Sequence, residues 1–537
     1  MTVRRVKTIA QITALVAVTL NTGSLTAALS QENENAQFGN VHFETSCNES
    51  AARRFDRAMR YQHSFWYAPA GEIFTEAAKA DSDCGIAYWG LALSLLSNPH
   101  GPIPAVNLAP GLDAIQKAQA AGAKTQRERD YIDALSNMYV DYDKLDHRTR
   151  IGKYLIAMEA LAAKYPQDDE AQIFYAITLN TSASPQDKTY AQQLKGAAIL
   201  EPMWKRMPQH PGIAHYLIHL YDYPAIADKG LEAAQRYAKV APGAPHAQHM
   251  PSHIFTRVGY WSDSIASNTA SAKAAREGKD FGEQMHATDY MVYAYLQLAQ
   301  DDHARVAIAE QLETFERTKA VNALNAGAYA LAASPARLVV ERGEWKEAAQ
   351  LPVRESPLRH ATAITHFARA LGAAQSGSPE AAKADIAELV KISAALREAK
   401  DAYWPTIVDI QAQVATAYVL LAEGKKDEAL KALSAAADAE DKTEKAPVTP
   451  GPLAPARELY GHMLLGQGQY KDALAAFEAV QKKEPNRFNA YAGGAAAADK
   501  LGDVGKARAY YGKLLELAAD AKSDRPVMTA ARAYLAK

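Results

Sequence analysis

The sequence predicts an all-α chain, a solenoid of helical hairpins, on three observations. Ala473 and Ala507 are 34 residues apart, and so are Phe477 and Tyr511, which is the period of a two-helix repeat. Apolar residues recur at helical spacing over most of residues 48–535, and no stretch alternates as a strand would. With 537 residues the chain is too long for one compact core, a limit that a repeat array does not meet.

Taken in order, the chain opens with Arg4, Arg5 and Lys7, an apolar run from Ile9 to Leu20, and the small residues around Ala28-Leu29-Ser30. That is the pattern of a secretory signal peptide over residues 1–30, too short and too weakly apolar to make a good membrane span. No later segment has eighteen unbroken apolar residues, so no membrane span is expected after signal cleavage, and the product is expected to be periplasmic or secreted. Residues 31–437 read as an irregular helical array. The only two cysteines, Cys47 and Cys84, form an even pair that an oxidising compartment would join as a disulfide pinning the first helices. Phe65-Trp66-Tyr67, Ala70, Phe74 and Ala77 read as a divergent first repeat, with the aromatic run in its hairpin core. Residues 97–111 contain four prolines and two glycines and read as a loop. Gly259-Tyr260-Trp261 with Ser264 and Asn268, Gly343-Glu344-Trp345 with Ala348, and Gly424 with Ala429 mark further repeats. Residues 438–455 carry a charge run and then Pro447, Pro450, Gly451, Pro452 and Pro455, and read as a linker. Residues 456–537 hold two regular repeats.

Those two repeats, with Gly468-Gln469-Tyr470, Ala473, Phe477 and Pro485 followed by Asp503-Val504, Ala507 and Tyr511, closely resemble the tetratricopeptide-repeat (TPR) family over residues 455–518. The resemblance implies a right-handed α-solenoid. It also implies that the first helix of each hairpin turns its second, fifth and ninth residues into a concave groove. The segments His210–Trp261 and Arg53–Leu95 resemble those of exported bacterial TPR proteins.

Histidine gives the strongest functional signal. Six of the fifteen histidines lie between His210 and His253. His215 and His219 share a helix face, as do His249 and His253, because each pair is four residues apart. Each member of the second pair follows its counterpart by 34 residues, so consecutive repeats carry the pairs in the same slots. Such pairs present two nitrogens to one metal ion. The TPR resemblance places His246, His249 and His253 at groove positions of one repeat, and His215, His219 and Asp222 at those of the repeat before. It places His286, Asp289 and Tyr293 in the repeat after. The expected metal set is therefore His215, His219, His246, His249, His253, His286, Asp222 and Asp289, enough for a dinuclear site, with His210 as an outer partner. Asp222 or Asp289 could instead hold a ligand imidazole through its second nitrogen. Imidazole with carboxylate and no thiolate suits copper, zinc or iron. Pro251 implies that its helix begins near Met250, which would distort the His249–His253 pair.

Two further readings use the same groove. TPR grooves commonly bind extended peptides, and Tyr216, Tyr221, Tyr223, Tyr290 and Tyr293 suit that role, with Arg257 placed to hold a carboxylate of a peptide or small substrate. The chain would then be a non-catalytic scaffold for a partner protein or peptide in the cell envelope. A periplasmic metal buffer is the third possibility. The first reading makes the chain a metal-dependent oxidoreductase or hydrolase, with Arg257 and Tyr293 binding substrate. His63, His100, His360, His366 and His462 are scattered and read as structural. The formal charge of −2 becomes −5 without residues 1–30, which argues against nucleic-acid binding. No phosphate loop, dinucleotide fingerprint, GxSxG, HExxH or CxxCH is present.

Overall fold

The computed structural model describes residues 36–321 and 326–537, so the expected signal peptide lies outside the described residues. The described chain is all-α, with no strand among the described residues, and consecutive helices pack as hairpins in an array. The N-terminal part comprises α1 (Glu49–His63), α2 (Tyr67–Ala80), α3 (Gly85–Leu95), α4 (Ala105–Ala121), α5 (Gln126–Ser136), α6 (His147–Lys164), α7 (Asp169–Ser182) and α8 (Ala191–Arg206). The middle comprises α9 (Pro211–Tyr221), α10 (Leu231–Val240), α11 (Pro245–His249), α12 (Pro251–Val258), α13 (Trp261–Glu277), α14 (Phe281–Gln297), α15 (Asp301–Thr318) and α16 (Gly327–Arg342). After the single turn α17 (Trp345–Ala348) come α18 (Arg359–Gln375), α19 (Pro379–Glu398), α20 (Trp404–Ala422) and α21 (Lys426–Asp441). The chain ends with α22 (Ala456–Gly466), α23 (Tyr470–Lys483), α24 (Phe488–Leu501), α25 (Val504–Leu517) and α26 (Pro526–Leu535).

Local sequence explains the ends of many of these helices. Asn48, Asp146, Asp168, Asp280 and Asp503 each accept a first-turn amide as N-cap, and Thr125 with Glu128 forms a capping box. Gly259 ends α12 at φ +73°, and a Cβ there would stand 2.3 Å from the Pro485 carbonyl, so only glycine allows both the turn and the contact. Cys47 and Cys84 are joined, with Cα atoms 5.0 Å apart, tying the residue before α1 to the N-cap of α3.

One local expectation needs correction, and another needs an addition. The segment 97–111 is not all loop, because α4 starts at Ala105 and takes Pro110 inside it. Gly111 is required in that helix, since a Cβ would meet the ring of Tyr139 at 2.0 Å. The helix of Pro251, α12, does begin where expected, with Met250 as its N-cap, but His249 sits in a preceding turn, α11. It starts at Pro245, which is 34 residues after Pro211 and, like it, occupies the first helical position, where a proline loses no hydrogen bond. Pro251 interrupts the ladder, but Met250 keeps helical angles of −53° and −36°, so α11 and α12 continue one path.

The apolar core falls into separate clusters, chiefly residues 41–255, residues 329–463, and Ala299 with residues 464–531. α20 is apolar enough for a span by composition, with a mean hydropathy of 1.2, but half of it is buried and it packs between α19 and α21. The C-terminal hairpins turn back onto the middle of the array. Trp261 Nε1 donates to the Asn486 carbonyl at 2.9 Å, and the Phe488 amide donates to Gln297 at 3.0 Å. Arg487, fully buried, pairs with Glu341 and Glu458. The segment read as a linker begins inside α21, and residues 442–455 form a strap fastened to the middle helices. Tyr290 Oη lies 2.9 Å from the Pro447 carbonyl and 3.1 Å from that of Thr449, and Arg337 donates to the Pro452 carbonyl at 3.0 Å.

Candidate metal centre

Where the first apolar cluster ends, α9, α11, α12 and α14 turn histidines toward one another. His215, His219 and His246 form one triad, and His249, His253 and His286 form a second; within each, the candidate ligand atoms lie within 4.8 Å of one another. Each triad takes an i, i+4 pair from one helical turn and a single imidazole from the next groove helix. His246 therefore crosses to the pair on α9, although it precedes His249 by three residues. The triads adjoin: His246 and His249 have ring centres 5.7 Å apart, and His219 and His253 5.9 Å. All six of the expected imidazoles lie in these two adjoining triads.

The second nitrogens determine what the first can do. His253 Nδ1 donates to Asp222 at 2.9 Å. His249 Nδ1 faces Asn268 Oδ1 at 2.6 Å, and the Asn268 amide is oriented by its own donation to the Ser264 carbonyl at 2.8 Å, so His249 must be the donor. With both protons on Nδ1, the two Nε2 atoms meet as lone pairs, 3.0 Å apart. In the first triad His215 Nδ1 donates to the His63 carbonyl at 2.6 Å, and its Nε2 lies 3.1 Å from that of His219. His246 Nδ1 is held by Glu283 at 3.0 Å, and its buried Nε2 has no partner among the described residues. Two nitrogens bound to one ion at about 2.0–2.1 Å stand about 2.9–3.4 Å apart, which is the spacing of both pairs.

A proton is a poor substitute for an ion here. Burial holds His249 at about 3, with His253 adding to the effect; burial likewise holds His253 at about 3, against the pull of Asp222. Burial also lowers His215, His219 and His286 well below the usual imidazole range, and neighbouring imidazoles lower them further. Burial pushes Glu283 up, but His246 and its neighbours outweigh that, so the carboxylate stays ionised. His215, His219, His249, His253 and His286 are therefore neutral imidazoles, the form in which imidazole binds metal, and anions back the centre.

A cavity of about 1390 Å³, including its mouth, opens onto His219, His246, His253 and His286. Phe65, Trp66 and Tyr67 line it, so the aromatic run expected in the hairpin core, against which Phe65 and Trp66 pack, also faces the site. Phe65 adopts φ +53°, a conformation costly for a non-glycine residue, and its ring centre lies 4.2 Å from His215, 5.4 Å from His219 and 5.5 Å from His246.

The remaining expected residues fall outside the triads. Asp222 is not placed as a ligand: its carboxylate accepts from His253, Arg257 and Lys445 at 2.8–2.9 Å, so it orients a ligand. Asp289 is likewise removed from the ligand set, because the fully buried Arg337 takes its carboxylate at 2.8 Å. Arg257 and Tyr293 line a different cavity from the one that opens on the imidazoles. Tyr293 is bound between Glu484 and Arg487.

Sequence reasoning missed Glu283, Asn268, Lys445, Phe65 and the pair His63–Glu170. Asn268 had a readable signal. It occupies the slot that Phe477 and Tyr511 fill in the regular repeats, and a polar residue in a core slot implies a polar partner. Glu170 accepts from His63 Nε2 and His210 Nε2, each at 2.9 Å, and the carbonyl of His63 then receives His215. His210 is thus an outer partner through this buried bridge.

No protein-family model matches the sequence, and no curated protein matches it. Among solved structures the chain is similar to the anaphase-promoting complex hetero-tetramer Cut9–Hcn1, with a TM-score of 0.38 and 12% identity over 96% of this chain and 80% of that one. It is also similar to the TPR domain of P58(IPK), with a TM-score of 0.22 and 13% identity over 84% of this chain and 99% of that one. Likeness of this degree carries nothing about activity.

Proposed function

We propose that this chain is an exported metalloprotein that holds two transition-metal ions side by side, one in each histidine triad, and acts on a small molecule in the adjoining cavity. The observation that carries the reading is the 3.0 Å approach of two buried Nε2 lone pairs, His249 and His253, each with its Nδ1 proton fixed by another residue. Such a contact is repulsive unless a cation joins the two atoms. Donor chemistry favours copper, since imidazole binds it most strongly among the candidates and no carboxylate stands among the ligands; zinc and iron follow. Three protein donors per ion leave a position for water or substrate, which is how catalytic sites differ from closed structural ones. A pair of such ions can activate water or dioxygen, so the reaction class is oxidoreductase or hydrolase. Export is part of the proposal, supported by the Cys47–Cys84 disulfide and the basic and apolar start of the chain.

The test is metal analysis of the purified chain from copper-, zinc- and iron-replete cells. About two ions per chain are expected, falling to none in His215→Ala with His249→Ala, while the helical circular dichroism is retained. Metal-free wild-type protein would refute the reading and favour the TPR-like array as a scaffold for a partner protein. An open groove would suit that second role, but here the strap of residues 442–455 crosses it.

A further inference from the structure

Each triad is covered by one aromatic ring that touches all three of its imidazoles. Phe65 covers the first, with its ring centre 4.2 Å from that of His215, 5.4 Å from His219 and 5.5 Å from His246. Tyr290, on α14, covers the second. Its ring centre stands 4.7 Å from that of His249, 5.1 Å from His253 and 5.4 Å from His286. The two covers differ in one donor atom, the Tyr290 hydroxyl.

That hydroxyl is fully buried and has more acceptors around it than protons to give. Its Oη lies 2.9 Å from the Pro447 carbonyl, 3.1 Å from the Thr449 carbonyl and 3.4 Å from His253 Nε2. All three neighbours are acceptors, because His253 donates from Nδ1 to Asp222 and keeps a lone pair on Nε2. A phenol carries one proton. The two strap carbonyls are nearer and take it, which leaves a lone pair of Oη beside that of His253. Two donors held by one ion at about 2.0–2.1 Å, at the tetrahedral angle, stand about 3.3–3.4 Å apart. Oη is therefore spaced from His253 Nε2 as two ligands of one tetrahedral ion are.

We propose, resting on the two-ion reading, that Tyr290 Oη is the fourth protein donor of the second ion, while Phe65 leaves the fourth position of the first ion open. The two ions are then unlike. Tyr290 coordinates as a neutral phenol, its proton held by the strap, and so is a weak donor that nonetheless occupies the position. His253 and His286 border the same cavity as His219 and His246, so without that oxygen both ions would be open to it. With it, the second ion is closed in the manner of a structural site, and water, substrate or a small anion binds at the first.

The test uses the full chain loaded with copper and titrated with azide, whose bond to copper(II) is read from its charge-transfer absorption. His215→Ala confines copper to the second triad. This variant is expected to bind azide at least about tenfold more weakly than His215→Ala with Tyr290→Phe, in which the position is free. Removing the hydroxyl also unties the strap, so a control is needed. Thr449→Val in the His215→Ala chain takes Thr449 Oγ1 from Arg337 and keeps the phenol, and it should stay as closed to azide as its parent. Equal azide affinity with and without the hydroxyl would overturn the proposal. So would equal opening by Thr449→Val, because access past the strap would then account for the gain. A wild type that takes up no copper would sink the two-ion reading and this proposal with it, whereas a copper-loaded protein with unchanged azide affinities would sink this proposal alone.

Discussion

At the scale of single residues, the centre depends on side chains that fix where protons sit. Asn268 is the clearest case, because it is fully buried, touches no expected ligand atom, and locks His249 Nδ1 as a donor. Asn268→Leu removes that acceptor, so His249 can rotate or place its proton on Nε2 and present no lone pair. Loss of such an orienting partner typically costs 10–100-fold in metal affinity. The loss is expected in the second triad alone, so metal content under a mild chelator should fall from about two ions per chain toward one. A drop to zero, or no drop, would show that Asn268 does not act through His249. Asp222→Asn is predicted to be harsher. It keeps an acceptor for His253 but leaves Arg257 and Lys445 buried without their anion, and breaking such a network costs about 3–5 kcal/mol. Urea unfolding of the metal-free variant checks this, since the loss does not depend on metal.

At the scale of elements, the helices of the centre were legible and the strap was not. Repeat arithmetic works because a hairpin imposes one length on the chain. It paired His215 with His249 and His219 with His253, and it extends to Pro211 and Pro245, which start both helices. Neither the partition of six imidazoles into triads nor the fate of the carboxylates is periodic. Asp289 was expected at a groove position and fell to Arg337, which lies 48 residues further along the chain. The strap resisted reading because proline and glycine report only that a segment is not helical; its contacts lie 223 residues away for Lys445 with Asp222 and 157 for Pro447 with Tyr290. Arg337 is where strap and helices meet, since it bonds Asp289, Thr449 and Pro452. Arg337→Met strands a buried carboxylate and frees the strap, so a loss of about 3–5 kcal/mol is expected, together with new proteolytic cleavage within residues 442–455. The disulfide acts at the other end. The two cysteines are 37 residues apart, and closing such a loop is worth about 4 kcal/mol on the chain-entropy model. Cys47→Ser with Cys84→Ser should lower stability by about that amount, and a reductant should destabilise the wild type but not the double variant.

For the whole molecule, the imidazole layer makes stability a function of pH, and the sign follows from burial. His215, His219, His249, His253 and His286 are each at most 5% exposed, and the folded chain holds all five well below the value of about 6.5 that an unfolded histidine has. Below pH 6.5 the unfolded chain therefore takes up protons that the folded chain refuses, and stability falls as pH drops toward the folded value, about 3 for His249 and His253. Each such histidine costs up to about 1.4 kcal/mol per pH unit, so the five together approach roughly 7 kcal/mol per unit. Carboxylates with lowered values, Asp222 among them, oppose nothing in this window, because their stabilisation begins to fade only below about pH 4. Against a total stability of about 5–15 kcal/mol, the metal-free protein is expected to unfold cooperatively near pH 5, well before its carboxylates protonate. Urea midpoints measured from pH 7.5 to 4.5 check this, with a slope that His249→Ala should reduce. Metal bound to the neutral imidazoles stabilises the same state by mass action, so the holoprotein should unfold at a lower pH than the metal-free form. Coincident acid transitions for the two forms would mean that the six imidazoles do not bind the ion, whatever the total metal content of the preparation.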